Sequence, residues 1–121
     1  MAEILIADDD PILVEILKFR LEGAGYSVKT TSNGEDALAA AREKAPDLIV
    51  LDSMMPIMSG PEVLTELKSD NELCDIPVVM LTARKSEADI VAGLKSGAAE
   101  YLTKPFIPQE LLVRIAALLN R

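Results

Sequence analysis

Histidine and tryptophan are both missing from this 121-residue chain, and it has a single cysteine, Cys74. Without histidine there is no commonest general base, no usual zinc ligand and no self-contained phosphohistidine relay, so chemistry must run on carboxylates, hydroxyls and amines. One thiol supports neither a disulfide framework nor a multi-cysteine metal cage, which fits a reducing compartment, and the cytoplasm is the expectation. Positive charge is scarce too: 12 Lys and Arg stand against 20 Asp and Glu, a formal net charge of −8. Clustered Lys and Arg are what grip a phosphate backbone, so direct contact with nucleic acid is not expected. Half the residues are hydrophobic, yet no uninterrupted run approaches the length of a bilayer-spanning helix. Met1 leads straight into Ile4-Leu5-Ile6, so we expect a soluble protein with no signal peptide and no membrane partner. The length suits one compact domain over residues 1–121.

What is present is an alternation of short apolar runs and longer amphipathic segments, the pattern of βαβ units. The expected strands cover residues 4–7, 27–31, 47–51, 78–81 and 100–103. The first, third and fourth are continuously apolar, as strands covered on both faces should be. Pro11, behind a capping Asp10, opens a first helix in which Leu13, Ile16, Leu17, Arg20 and Leu21 recur at helical spacing before Gly23 and Gly25 stop it. A second covers residues 34–44 with Ala37, Leu38 and Ala41 inward. Ser59-Gly60-Pro61 opens a third, Ser86-Glu87 a fourth, and Pro108-Gln109-Glu110 a fifth carrying Leu111, Leu112, Ile115, Leu118 and Leu119. Right-handed crossovers between such short units give an α/β fold, a doubly wound five-stranded parallel sheet with five helices. Such sheets bind ligands beyond the carboxyl ends of their strands, near the switch in strand order.

The residues just past those ends are Asp8 and Asp9 after the first strand, Asp52 after the third, Thr82 after the fourth and Lys104 after the fifth. Taken singly, each has a plain structural explanation: a carboxylate before a helix is usually a cap, a threonine a turn residue, a lysine a solvated charge. Four strand ends agreeing on one chemistry is what argues for function. Three crowded carboxylates raise one another's proton affinity unless a cation sits among them. Mg²⁺ is the simplest such cation, since it takes one or two carboxylates and leaves positions for a phosphate oxygen. Lys104 would then neutralise a phosphoryl group and Thr82 would donate to it.

At this point the residues match a known pattern. From end to end the chain resembles the receiver domain of two-component response regulators. The resemblance is carried by Ile4-Leu5-Ile6-Ala7-Asp8-Asp9-Asp10, by residues 46–56 (Pro-Asp-Leu-Ile-Val-Leu-Asp-Ser-Met-Met-Pro) with Gly60, by Pro77-Val78-Val79-Met80-Leu81-Thr82-Ala83, and by residues 97–106, Gly-Ala-Ala-Glu-Tyr-Leu-Thr-Lys-Pro-Phe. It implies a flavodoxin-like (βα)₅ fold with strand order 2-1-3-4-5. It further implies that Asp52 is the nucleophile toward phosphohistidine on a sensor histidine kinase or phosphotransfer protein, or toward a small acyl-phosphate-like donor. Mg²⁺ would be bound by Asp9, Asp52 and the Met54 backbone carbonyl, with Asp8 acting largely through water. Thr82 and the Ala83 N–H would hydrogen-bond the phosphoryl group, Lys104 would pair with it, and the Lys104–Pro105 peptide would be cis.

Such a domain catalyses its own phosphorylation and slow resetting but is first a switch, with Met54 and Arg84 adjusting the resetting rate. Its output would come as Thr82 is drawn toward the new anion and Tyr101 turns inward, altering the face of the fourth helix, fifth strand and fifth helix. That face would meet an output protein or a tethered effector domain, as a monomer or a phosphorylation-dependent dimer. Glu100, Glu110 and Arg114 keep part of a charge ladder used by dimerising relatives, while Ile90 and Ala116 stand where charges would be expected. A stand-alone regulator and the input half of a longer one both remain open. Two rivals fit less well: Asp8-Asp9-Asp10 would repel the cofactor phosphate of a flavin carrier, and Met54 replaces the second carboxylate an Asp-nucleophile phosphatase would use. The intact set of five site residues likewise argues against a degenerate receiver that signals without phosphate.

Overall fold

The computed structural model describes residues 1–83, 91 and 95–120. Within them every apolar run expected to be extended is a strand: β1 (Glu3–Ala7), β2 (Ser27–Thr31), β3 (Leu48–Asp52), β4 (Val78–Thr82) and β5 (Glu100–Thr103). All pair in parallel in the order β2-β1-β3-β4-β5. Four helices are present among the described residues: α1 (Pro11–Gly23), α2 (Gly34–Glu43), α3 (Gly60–Lys68) and α4 (Pro108–Leu119). The helix expected from Ser86, together with Arg84 and Ile90, lies outside the described residues, so α4 is the fifth helix of the sequence reading.

Strand alternation sorts the core into two layers. Leu5, Ile49, Leu51, Val78 and Met80 point to the face covered by α2 and α3, where they meet Leu38, Ala41, Leu64 and Leu67. Ile4, Ile6, Val50, Val79 and Leu81 point to the other, covered by Leu17 and Leu21 of α1 and by Leu111 and Ile115 of α4. Each fully buried leucine or isoleucine contributes about 1.5–3 kcal/mol of transfer free energy. That gain comes only when every strand keeps its register.

The helix starts follow local chemistry. The Asp10 carboxylate accepts from the N–H groups of Ile12 and Leu13 at 3.1 and 3.2 Å ahead of Pro11. Asn33 accepts from the Asp36 N–H at 2.8 Å, and Ser59 and Glu62 form a reciprocal capping box. The spacing read for α1 is corrected in part. Its buried stripe is Val14, Leu17 and Leu21, whereas Ile16 and Arg20 face solvent. Apolar residues lie nearly all round this helix, so period alone does not say which stripe the sheet selects.

Candidate functional site

The parallel register brings the strand ends level. Ala7 pairs with Leu51, Asp52 with Leu81, and Thr82 with Thr103. Asp52 and Thr82 prove to be the last residues of their strands rather than the first of the following loops. Backbone bonds from Ser53 N–H to the Leu81 carbonyl (2.8 Å) and from Lys104 N–H to the Thr82 carbonyl (2.6 Å) continue the ladder past the apolar runs. Strand order reverses between β1 and β3, and there Asp8, Asp9 and Asp52 converge, each offering an oxygen within 4.8 Å of the others'.

Their surroundings differ. Asp8 and Asp52 are buried and Asp9 is exposed. Both oxygens of Asp8 are engaged: Oδ1 accepts from the Asp10 N–H at 2.9 Å, and Oδ2 from Lys104 Nζ at 2.9 Å. Lys104 Nζ also lies 3.3 Å from Asp52 Oδ1, and the Met54 backbone lies close enough to the Asp52 carboxylate to favour its charged form. Burial and the neighbouring Asp8 charge push the Asp52 carboxyl up to about 6, against the opposing pull of Lys104 and the Met54 backbone. Burial alone would lower the Lys104 ammonium, but its bond to Asp8 and the charges of Asp52 and Asp8 outweigh it and hold the group above its usual range.

One ammonium, paired with Asp8 and Asp52, therefore stands among three carboxylates, which leaves an excess of negative charge on their oxygens. A hard divalent cation fits that donor set. All three carboxylates offer an oxygen to such an ion, and two of them, Asp8 and Asp52, already meet Lys104.

Thr82 is fully buried and Ala83 beside it is exposed. Tyr101 is half-buried, packs against the core layer under α2 and α3, and lines a cleft of about 590 Å³ with Asp9, Met54, Met55 and Pro56. The Lys104–Pro105 peptide is cis. Near β5, Arg114 bonds Glu100 at 2.6 Å and lies 3.9 Å from Glu110, so these charges pair within the chain.

Sequence reasoning missed what holds the loop over residues 53–59. Ile57 there has φ +71°, a conformation costing a β-branched residue on the order of 1–3 kcal/mol. A Cβ on Gly60 would overlap the Asp52 backbone, and one on Gly34 would overlap the Met58 backbone. The Asn33-Gly34 dipeptide carried a turn signal, but nothing in it pointed to a contact across the sheet edge.

A doubly wound parallel sheet with a carboxylate trio and a lysine at its switch point defines a class of α/β domains. Residues 4–116 match the response regulator receiver domain, and the chain belongs to that family, the receiver component of two-component signalling. It is 46% identical over 118 residues to the DNA-binding response regulator MtrA of Mycolicibacterium smegmatis, covering 98% of this chain and 50% of that protein. It is 45% identical over 119 residues to the alkaline phosphatase synthesis transcriptional regulatory protein PhoP of Bacillus subtilis, covering 98% and 49%. The chain thus spans about half the length of the curated relatives it matches. Among solved structures, the receiver domain of the Francisella response regulator 1452 superposes with a TM-score of 0.95 at 35% identity, covering 100% and 98% of the two chains. The chemotaxis response regulator CheY4 of Vibrio cholerae gives 0.92 at 33% identity, covering 98% of each.

Proposed function

We propose that this chain is a phosphorylation switch of a two-component relay, in which Asp52 takes a phosphoryl group from phosphohistidine on a sensor histidine kinase or phosphotransfer protein. The observation that carries the reading is the Asp52 carboxylate itself: buried at the switch point, beside two further carboxylates, and within 3.3 Å of the Lys104 ammonium. In the transfer an Asp52 Oδ–P bond forms as the P–N bond breaks, and the electron pair stays on the departing imidazole of the partner. Such a transfer asks for alignment and charge stabilisation more than for covalent help.

Asp9, Asp52 and the Met54 carbonyl would hold Mg²⁺, with Asp8 bracing the site through water and through Lys104. The ion supplies positive charge against the carboxylates and against the charge developing on the transferred group. Lys104 turns from its carboxylate partners to the phosphoryl oxygens, and Thr82 and the Ala83 N–H donate to them. Met54, 66% exposed at the mouth of the site, governs how readily water reaches the acyl phosphate. Tyr101 reports the change to the face around β5 and α4. Replacing it with Ala leaves phosphorylation intact and blunts partner binding; equal loss of both would remove Tyr101 from the switch.

The site works in the cytoplasm, as a monomer or a phosphorylation-dependent dimer, without touching nucleic acid itself. A second reading concerns output only: the chain is the input half of a longer regulator, favoured by its covering about half of relatives described as DNA-binding. Intact-mass measurement after incubation with Mg²⁺ and a small phosphodonor tests the main reading. One phosphoryl group is expected on the parent protein and none on Asp52→Asn. No addition to the parent, or equal addition to both, overturns it.

A further inference from the structure

Ile57 sits in the left-handed region at φ +71°. The Met58 N–H donates to the Pro56 carbonyl at 2.8 Å, which closes a three-residue turn around it. Turns of this hand are rare and strained, and a β-branched residue is the least suited to their centre. Nor does the Ile57 side chain repay the strain, since it is 73% exposed. The conformation must be imposed by what grips the loop from outside.

Two grips are visible. The Gly60 N–H bonds the Ser53 carbonyl at 3.1 Å, and a Cβ on Gly60 would run into the Asp52 backbone. At the other side, Gly34 at the start of α2 lies against Met58, so close that a Cβ would overlap the Met58 carbonyl oxygen and come within 2.8 Å of its Cβ. The obstructing atoms are mostly backbone, so a clash there moves the loop rather than a side-chain tip. That loop also carries Met54, two residues past Asp52, whose backbone lies close enough to the Asp52 carboxylate to favour its charged form.

We propose that Gly34 is a positioning residue for the acidic site: lacking a Cβ, it lets α2 clamp Met58, which holds the strained turn at Ile57 and with it Met54 against Asp52. This rests on the proposed reading of the site as Mg²⁺-binding and phosphoryl-accepting. A clamp and the strain it maintains are thermodynamically coupled, so relieving the strain should be worth more while the clamp is intact.

The experiment compares the parent, Gly34→Ala, Ile57→Gly, the double variant and Ala41→Gly. Ala41→Gly is a control that weakens α2 without touching the loop. Mg²⁺ affinity is read by calorimetry, labelling rate with acetyl phosphate, and stability by urea denaturation. Gly34→Ala is expected to weaken Mg²⁺ binding and slow labelling at least tenfold under conditions where it is folded, while Ala41→Gly stays within twofold of the parent on both. Ile57→Gly should raise the urea midpoint of the parent with Mg²⁺ affinity unchanged, and raise that of Gly34→Ala by less than half as much. The proposal is overturned by parent-like Mg²⁺ affinity in Gly34→Ala, by matching losses in Ala41→Gly, or by equal midpoint gains in both backgrounds. If Gly34→Ala does not fold, Ile57→Gly alone still decides, because a drop in its Mg²⁺ affinity would show that the side chain rather than the clamp holds the loop. A parent that binds no Mg²⁺ and takes no phosphoryl group would instead overturn the underlying reading of the site.

Discussion

Lysine–carboxylate pairs of similar length stand at opposite ends of the sheet. At the amino ends of the strands, Lys44 Nζ lies 2.7 Å from Glu3 Oε1, with the lysine side chain 76% exposed. At the carboxyl ends, Lys104 Nζ lies 2.9 Å from Asp8 Oδ2, whose carboxylate is fully buried. Both ammonium groups are held above their usual range, Lys44 by its bond to Glu3 and that residue's charge, Lys104 by Asp8 and Asp52 against the opposing effect of burial. Length does not separate the pairs; water does. An exposed pair trades protein contacts for hydration nearly evenly, while a buried one leaves an uncompensated charge behind when either partner goes. The amino end can therefore lose its pair quietly, and the carboxyl end cannot.

The sharpest way to break the contrast is to remove Lys104. Lys104→Met strands Asp8 and Asp52 together and should cost about 2 kcal/mol of stability at neutral pH without metal, a figure reduced for the partial exposure of the lysine. Urea denaturation would show it, and the loss should shrink in acid as Asp52 takes up a proton.

Next in size is Asp52→Asn, which should stabilise the metal-free protein. Its carboxyl is pushed up to about 6 from 3.8, so the folded state binds the proton more tightly than the unfolded one. Below about pH 4 both states are protonated and Asp52 costs nothing. Between about pH 4 and 6 the cost grows, and above that it is constant, about 1–2 kcal/mol once solvent on the open side of the site is allowed for. The gain from Asn should therefore be complete at pH 7, lost by about pH 4, and reduced by added Mg²⁺. A gain independent of pH would show that electrostatics is not its cause.

The smallest effect belongs to the other end. Lys44→Ala should leave the urea midpoint unchanged within error, and a clear shift would erase the distinction drawn between the two pairs.

The sheet and the site residues were legible because both depend on short-range pattern. Runs such as Leu48 to Leu51 could only be strands covered on both faces, and polar residues just beyond them mark the strand ends wherever those ends lie. The ends themselves were misplaced by a residue at Asp52 and Thr82, since pairing with Leu81 and Thr103 depends on neighbouring strands. The inward stripe of α1 was ambiguous because Ile12, Ile16 and Phe19 are apolar yet exposed. Lys104 was anticipated as a partner for phosphate, and its contacts with both Asp8 and Asp52 were not. Contacts between Gly34 and Met58, or between Gly60 and Asp52, join segments through backbone atoms, and no residue type announces them.

The shared register of the five strands has a consequence for how this chain can diverge. A single residue inserted within β3 would carry Asp52 away from its place beside Leu81 and exchange the strand's two faces, so that Ile49 and Leu51 would trade layers with Leu48 and Val50. Catalytic failure and core failure would arrive in the same event. Length variation should accordingly be confined to the connections, while the chemistry at the strand ends can be rewritten one substitution at a time without disturbing the scaffold that presents it.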